Sequence, residues 1–386
     1  MKFRKALFGF IDMIRFSKIV EKRKEHLENG SDEPLPATFK VNELAKELHP
    51  GYMDVELVEI KTLTPVMKEF TFKRLNHDKF PFFRAGEYVS LQTKINDSLV
   101  SRPYSIASGP AESFSNVLKL GIQKEGLFST YMFEKAKVGD TFKMSEPSGD
   151  FHYETLRDNK NIVCIAGGSG ITPFISMAKA KLDGDEDYNI TLIYGARTTE
   201  FIAYKETLKD LETKGIKVVI VLSDEEKEGY EHGFVTAKLL EKYCDINNTT
   251  FFMCGPTVMY TFVRKELEPY KLPIKAIHQD AACCGDLKIA NPRTFKLTVH
   301  VEEDTYVIDA KENETLLVTM ERAGINVPNK CRAGGCGWCN SICLKGKYKV
   351  ADGREKRRAA DIKFNHIHPC VTYPLSDMEI IIPLAY

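Results

Sequence analysis

The chain has 386 residues, 43% of them hydrophobic, enough for two or three separate cores rather than one. Lys and Arg total 54 and so do Asp and Glu, so no net field draws the chain to nucleic acid, which is dropped as a partner. Ten cysteines in so long a chain, with no secretory leader read ahead of them, argue against a disulfide framework; they point to metal or redox use of the thiols and to the cytoplasm.

Residues 1–52 read as an N-terminal extension. Phe3, Leu7, Phe10, Ile11 and Ile14 recur at helical spacing with Lys and Arg between them, which predicts an amphipathic helix. Asp12 and Arg15 break the apolar run, so it is neither a signal h-region nor a membrane span. The stripe is read first as a face packed on the protein's own surface or on a second copy of the chain. Because basic residues rim it, docking on a membrane surface or on a redox partner is the second reading. Gly and Pro punctuate Asn29–Pro36, which reads as a linker.

Residues 53–157 carry short β-like runs with frequent turn residues. In Val117–Gln123, Leu118, Leu120 and Ile122 alternate with Lys119, Gly121 and Gln123, as in a half-buried strand, and the region predicts an antiparallel barrel. Over residues 158–291 the rhythm changes to strand, turn, helix, strand. The continuous apolar runs IVCIA, ITLIYGA, VVIVL and TFFMCG predict a parallel α/β sheet. Residues 292–386 predict a small α+β domain. Phe295, Leu297, Val299 and Val301 alternate, TYVID follows an acidic turn, and a helix over Thr315–Ala323 is stopped by Gly324.

Cys331, Cys336 and Cys339 stand in C-x4-C-x2-C spacing, and Cys370 follows with thirty residues between it and the third; this is the plant-type [2Fe–2S] arrangement. One loop supplies three thiolates, and Gly334, Gly335 and Gly337 let its backbone wrap closely with N–H groups turned toward sulfur. Structural zinc commonly uses two tight C-x2-C pairs, and only one exists here. A quartet ending at Cys343 would partly mimic a [4Fe–4S] run, but that run wants a further C-x2-C step and a Pro where Leu344 stands, so Cys343 is read as a buried bystander.

Arg102-Pro103-Tyr104-Ser105 follows the strand-like run YVSLQ, and Gly126-Leu-Phe-Ser129-Thr130 follows the strand VLKLGIQ. Together they resemble the R-x-Y-S motif and the G-x-x-S phosphate turn of the ferredoxin–NADP reductase superfamily. The resemblance implies that Arg102 pairs with the flavin phosphates, Tyr104 packs on the isoalloxazine and Ser105 lies near the reactive flavin nitrogen. A turn such as Gly126/Ser129/Thr130 offers N–H and hydroxyl donors to pyrophosphate.

The likeness continues downstream. In IVCIAGGSGITPF, Gly167, Gly168, Gly170 and Pro173 match the superfamily's nicotinamide-binding turn, with Thr172 read as the N-cap and Pro173 at the first helical position. Tyr194-Gly-Ala-Arg197 and Cys254-Gly255-Pro256 match its next two signatures. The resemblance places Cys254 near hydride transfer, as a positioning group. Ser223-Asp224 stands where an NADPH enzyme of this family carries cations, and a carboxylate repels a 2′-phosphate while accepting from a free 2′-OH, so NADH is favoured over NADPH.

The order barrel, nicotinamide domain, ferredoxin resembles the reductases of phthalate dioxygenase, phenylacetyl-CoA oxygenase and hybrid-cluster-protein systems, which implies a β-grasp fold for the last domain. The phosphate turn favours FAD over FMN. The resemblance implies a path from NADH through FAD and [2Fe–2S] to a separate acceptor protein. Two other readings stay open: delivery from the flavin to a small molecule, and a redox-responsive binding module. Residues 345–363 hold eight cations against three carboxylates, a solvated face that would steer an acidic acceptor if it lies near the cluster. Residues 1–52 and the adjacent Cys283 and Cys284 have no counterpart in the pattern; the two thiols are read as structural, with redox sensing as the second reading.

Overall fold

The computed structural model describes residues 2–30, 39–280 and 283–383. The chain divides into two compact units, Met1–Lys46 and Glu47–Tyr386. In the first, α1 runs over Lys2–Glu28, further than the apolar stripe predicts, and α2 spans Lys40–Leu48 and ends just past the unit boundary. Ile14, Phe16 and Ile19 of α1 are exposed. The sequence reading provides only a linker after α1, although Val41, Leu44 and Leu48 of α2 do recur at helical spacing. Residues 31–38 of that linker lie outside the described residues. No described helix is long and apolar enough to cross a membrane.

The second unit begins with six antiparallel strands: β1 (Tyr52–Thr64), β2 (Met67–Arg74), β3 (Tyr88–Ile95), β4 (Ser98–Ser105), β5 (Leu118–Gln123) and β6 (Thr141–Ser145). They are ordered β4-β3-β6-β1-β2-β5, and the Ile106–Leu120 bridge brings the two outer strands together, closing the barrel. Alternation decides what faces inward: Leu118, Leu120 and Ile122 join Val55, Phe70, Val89 and Leu91 in the barrel core. Helix α3 (Leu127–Glu134) follows β5.

Next come β7 (Asn161–Gly167), α4 (Thr172–Asp183), β8 (Asn189–Ala196), α5 (Lys205–Thr213), β9 (Lys217–Leu222), β10 (Glu231–His232), α6 (Ala237–Tyr243), β11 (Thr250–Cys254), α7 (Thr257–Leu267) and β12 (Ile277–Gln279). The sheet is parallel with order β10-β9-β8-β7-β11-β12. Its strands read as unbroken apolar runs because both faces are covered. Ile162, Cys164 and Ala166 pack into one core, and Val163 and Ile165 into the other. The strand order reverses between β7 and β11, so the crevice at their carboxyl ends is where such a sheet binds ligand.

The last domain has β13 (Thr294–Val301), β14 (Asp304–Lys311), α8 (Leu316–Arg322), β15 (Ser341–Lys345), β16 (Tyr348–Val350), α9 (Ala359–Lys363), β17 (His366–Ile367), β18 (Thr372–Pro374) and β19 (Met378–Ile382). The main sheet is mixed, ordered β14-β13-β19-β15-β17 with β13 and β19 parallel. Thr315, expected inside the helix, instead caps α8 by accepting from Val318 N at 3.3 Å, and Gly324 at φ +75° follows its end as expected.

Candidate functional site

Strand β4 is where the three domains meet. Its last residue, Ser105, donates from Oγ to Asp280 Oδ2 at 3.4 Å, and Cys254 Sγ approaches the same oxygen at 3.4 Å. Cys254 ends β11 and Asp280 follows β12, whose neighbour in the sheet is β11; Asp280 N donates to Met253 O at 2.9 Å. Burial, and then the Asp280 carboxylate, push the Cys254 thiol far above its ordinary range. It is therefore a neutral group at neutral pH, suited to positioning and not to nucleophilic attack. The sequence reading missed Asp280. The available signal was its place just past a strand of the parallel sheet, at the end where ligands bind.

The crevice itself is narrow. A side chain on Gly170 would overlap the carbonyl of Cys254 and come within 2.8 Å of Gly255 N, so the turn after β7 lies directly against the end of β11. Gly255 N donates to Tyr260 Oη at 2.9 Å, which fixes the second loop. Thr172 is not the N-cap. Residues Gly168–Ile171 already form a 3-10 turn, so Ile171 takes the cap position and Thr172 begins α4, its hydroxyl donating back to Ser169 O at 3.0 Å. Thr172 and Tyr204 also abut β5 at Gly121, joining this turn to the barrel.

Arg197 and Asp224 stand at the ends of β8 and β9 and pair with each other, Nε to Oδ2 at 3.0 Å. The Ser223 hydroxyl, and then Arg197, hold the Asp224 carboxyl below its usual range. Tyr104 is half-buried with its ring tilted against Phe128 of α3 at 6.0 Å, and burial raises its phenol far above normal. Ser129 turns its hydroxyl back, accepting from Glu125 N and Gly126 N at 2.9 Å each, so it shapes the turn. The donors left to an anion there are the first-turn N–H groups of α3, Thr130 N being bonded to Gly126 O.

The middle of β4 and the neighbouring strands meet the C-terminal domain. Ser101 Oγ donates to Asn329 Oδ1 at 2.5 Å, Ser90 Oγ to Lys330 O at 2.7 Å, and Tyr52 Oη to Asn329 O at 2.9 Å. Lys330, 5% exposed, pairs with Glu146 at 3.0 Å. Arg102 reaches into this interface. Its Nη1 bonds Ser101 O at 2.6 Å and Glu321 Oε2 at 3.3 Å. Both bonds use the same nitrogen, which leaves the rest of the guanidinium fork for a phosphate.

The loop that follows carries the cysteines. Ala333 N and Cys336 N donate to Cys331 Sγ at 3.4 Å each, and Trp338 N to Cys336 Sγ at 3.5 Å. Cys339 Sγ lies 3.4 Å from Cys370 Sγ. Gly334 has φ +78°, and a side chain there would press on Val371 and Arg354 O at 3.1 Å, so the loop needs glycine. Among the described residues no three His, Cys, Asp or Glu side chains close around a single metal ion. A two-iron cluster asks instead for paired thiolates with amide donors to sulfur, and this donor set fits it. Cys343 packs in the domain core, with Sγ 3.5 Å from Lys345 O.

Between the domains lies a cleft of about 680 Å³ whose lining includes Tyr88, Ser105, Asp280, Cys283, Cys331 and Cys336. It joins the nicotinamide-side triad of Ser105, Cys254 and Asp280 to the cysteine loop. His278 lines it as well, its Nε2 lying 2.7 Å from Asp158 Oδ1. Burial raises the Asp158 carboxyl, but hydrogen bonds from Arg157, Glu154 N and His278 outweigh it and hold it below normal.

Comparison with known proteins agrees with this layout. Residues 54–153 match the oxidoreductase FAD-binding domain family, residues 164–265 the oxidoreductase NAD-binding domain family, and residues 299–375 the 2Fe-2S iron-sulfur cluster binding domain family. One component of the 1,2-phenylacetyl-CoA epoxidase from Escherichia coli (strain K12) is 24% identical over 315 residues, 78% of this chain and 88% of that protein. NADH oxidoreductase HCR of the same strain is 25% identical over 311 residues, 81% of this chain and 92% of the relative. The solved structure of phthalate dioxygenase reductase shares the fold, with a TM-score of 0.65 at 20% identity over 87% of this chain and 98% of that one. Fold and site together define a flavin- and nicotinamide-dependent oxidoreductase that carries its own iron–sulfur domain. The chain joins an oxidoreductase FAD-binding domain, an oxidoreductase NAD-binding domain and a C-terminal 2Fe-2S domain, the make-up of a ferredoxin–NADP-reductase-like reductase, and its cofactors are FAD, NAD and a [2Fe–2S] cluster.

Proposed function

We propose that the chain is the reductase component of a two-protein system, taking hydride from NADH and passing single electrons to a separate acceptor protein. The observation that carries this is β4, whose last residue, Ser105, meets the nicotinamide domain and whose middle, at Ser101 and Arg102, meets the cluster domain. Bound flavin supplies the chemistry of accepting a pair and releasing it one electron at a time. In this reading Ser105, Cys254 and Asp280 orient the nicotinamide against the ring. Tyr104 backs the ring, the Gly126–Thr130 turn and Arg102 hold phosphate, and Cys331, Cys336, Cys339 and Cys370 hold the cluster. Gly167, Gly168, Gly170, Pro173, Gly255 and Pro256 shape the nicotinamide crevice, with Arg197 and Asp224 at its adenosine end. The Escherichia coli relatives, one named as part of an epoxidase and one as an NADH oxidoreductase, support the same role. No two of the ten cysteines are joined in a disulfide, which fits a reducing, cytoplasmic setting. Anaerobic addition of NADH should bleach the flavin and then produce the paramagnetic signal of a reduced [2Fe–2S] centre; a cluster that stays oxidised would overturn the reading.

NADH should be preferred over NADPH, and Asp224→Ala should narrow the kcat/KM ratio of the two by about tenfold. A ratio unchanged by the substitution would remove Asp224 from cofactor choice.

The acceptor is proposed to be a protein with an acidic rim, docking on the face around α9. Ile362 and Phe364 are exposed there beside Lys356, Arg358 and Lys363. This face is wired to the cluster loop: Arg357 Nη1 bonds His366 O at 2.8 Å, and His366 Nδ1 meets Asn340 Oδ1 at 3.0 Å, one residue from Cys339. Reoxidation of a pre-reduced cluster by anionic hexacyanoferrate(III) should slow at least about threefold between low salt and roughly 0.5 M salt, while cationic hexaammineruthenium(III) should speed up. Identical salt responses would sink the docking face. The N-terminal helix, with exposed Ile14, Phe16 and Ile19, is proposed as a second contact, to an anionic membrane surface or to the partner, and vesicle sedimentation separates the two.

A further inference from the structure

The flavin barrel and the ferredoxin domain share one carboxylate. Glu321, in the last turn of α8, is 7% exposed and receives two parallel hydrogen bonds from Arg332, Nη1 to Oε1 at 2.6 Å and Nη2 to Oε2 at 3.0 Å. Arg332, 5% exposed, is the residue after the first cluster cysteine. From the other side Arg102 of β4 reaches Glu321 Oε2 at 3.3 Å. Arg332 Nη1 also lies 3.5 Å from Asn329 Oδ1, the atom that accepts from Ser101 of β4. A closed polar circuit therefore runs from the barrel strand through α8 to the cluster loop and back.

Two features suggest that this circuit sets geometry and is more than packing. Arg332 sits at φ +52°, in the left-handed region that a long side chain rarely adopts, so the loop beside Cys331 is held in a conformation it would otherwise leave. The circuit also places two guanidinium groups close together, and burial and mutual repulsion both disfavour that unless an anion lies between them. A bidentate Arg–carboxylate pair fixes direction as well as distance.

We propose that Glu321 is the positioning residue for electron transfer from flavin to cluster: it locks the Cys331–Cys339 loop to the strand that carries Arg102, Tyr104 and Ser105. The inference rests on the reading that electrons pass from the flavin to this cluster. The hydrogen bonds of the circuit do not include Asp280 or Cys254, so hydride arrival should be independent of it. Removing the carboxylate charge would leave two buried cations facing each other, and the loop would move away from β4. Electron transfer slows steeply with distance, so movement of the loop away from β4 would lower the rate of cluster reduction.

The test resolves the two steps by anaerobic stopped flow with NADH, following flavin bleaching and cluster reduction at their own wavelengths. In Glu321→Gln, bleaching should stay within about twofold of wild type while cluster reduction slows at least about tenfold. Flavin content and the spectrum of the dithionite-reduced cluster should be unchanged. The double variant Glu321→Gln/Arg332→Gln removes a buried cation along with the anion and so protects folding; it too should show slow cluster reduction, because the lock is still missing. Wild-type cluster reduction in either variant, or bleaching slowed in parallel with it, would overturn the lock. A wild-type protein whose cluster NADH never reduces would instead overturn the electron path beneath it.

Discussion

Cys336→Ser should yield a protein that still lets NADH bleach its flavin but no longer passes electrons on through a cluster. Cys336 lies in the cleft wall with Cys331, its amide donates to Cys331 Sγ at 3.4 Å, and its own sulfur accepts from Trp338 N at 3.5 Å. Serine offers a poorer ligand than thiolate in the one loop that supplies three of four donors, so the cluster spectrum should vanish. The nicotinamide crevice is built from β7, β11 and β12 and does not use this loop, so reduction of hexacyanoferrate(III) by NADH at the flavin should remain within about twofold. Reduction of a protein acceptor should fall at least about tenfold, or about 1.4 kcal/mol in transition-state terms. The ferredoxin domain should also melt earlier. Cys339 and Cys370 sit in its hydrophobic core, and cluster binding contributes to folding wherever the unfolded chain lacks the site. Acceptor turnover that survives the substitution would favour direct delivery from the flavin to a small molecule.

What the sequence disclosed and what it hid divide along a physical line. The iron–sulfur domain was legible because three cysteines sit in one short loop, where covalent spacing itself fixes their separation. The parallel sheet was legible because strands covered on both faces cannot alternate, and IVCIA sends Ile162 and Cys164 to one core and Val163 and Ile165 to the other. Asp280 was within reach, since it stands one residue past a strand at the ligand end of the sheet. Glu321 was not, because a glutamate in the last turn of a short helix reads as solvent-facing, and only docking against Arg102 and Arg332 buries it. The Thr172 cap was misplaced for a local reason: the glycine-rich turn coils into a 3-10 helix before α4 begins, so helical backbone starts one residue early. Residue types bonded within a segment can be read from the chain; partners brought by another domain cannot.

Gly170→Val should abolish efficient use of NADH while leaving the other cofactors in place. Position 170 has ordinary backbone angles, so its glycine is required by space alone: any side chain there runs into the carbonyl of Cys254, with Gly255 N only 2.8 Å away. Two backbone segments meet, and neither is the movable end of a flexible side chain, so relief requires the turn after β7 and the end of β11 to separate. Overpacking of this kind costs typically about 1–3 kcal/mol, which should appear as a lower melting temperature without loss of the fold. The functional cost should be larger than the structural one. Cys254, Gly255 and Asp280 all hang from β11 and β12, so moving that edge carries the nicotinamide pocket away from Ser105 on β4. A displacement of about 1 Å is enough for a loss of up to about 100-fold in kcat/KM for NADH. Reduction by dithionite bypasses the crevice, and flavin and cluster should both take electrons from it as in the wild type. Gly170→Ala tests the same contact with a smaller group and should fall between the two. If the valine variant bleached its flavin with NADH at the wild-type rate, the crevice between β7 and β11 would not be where the nicotinamide meets the flavin.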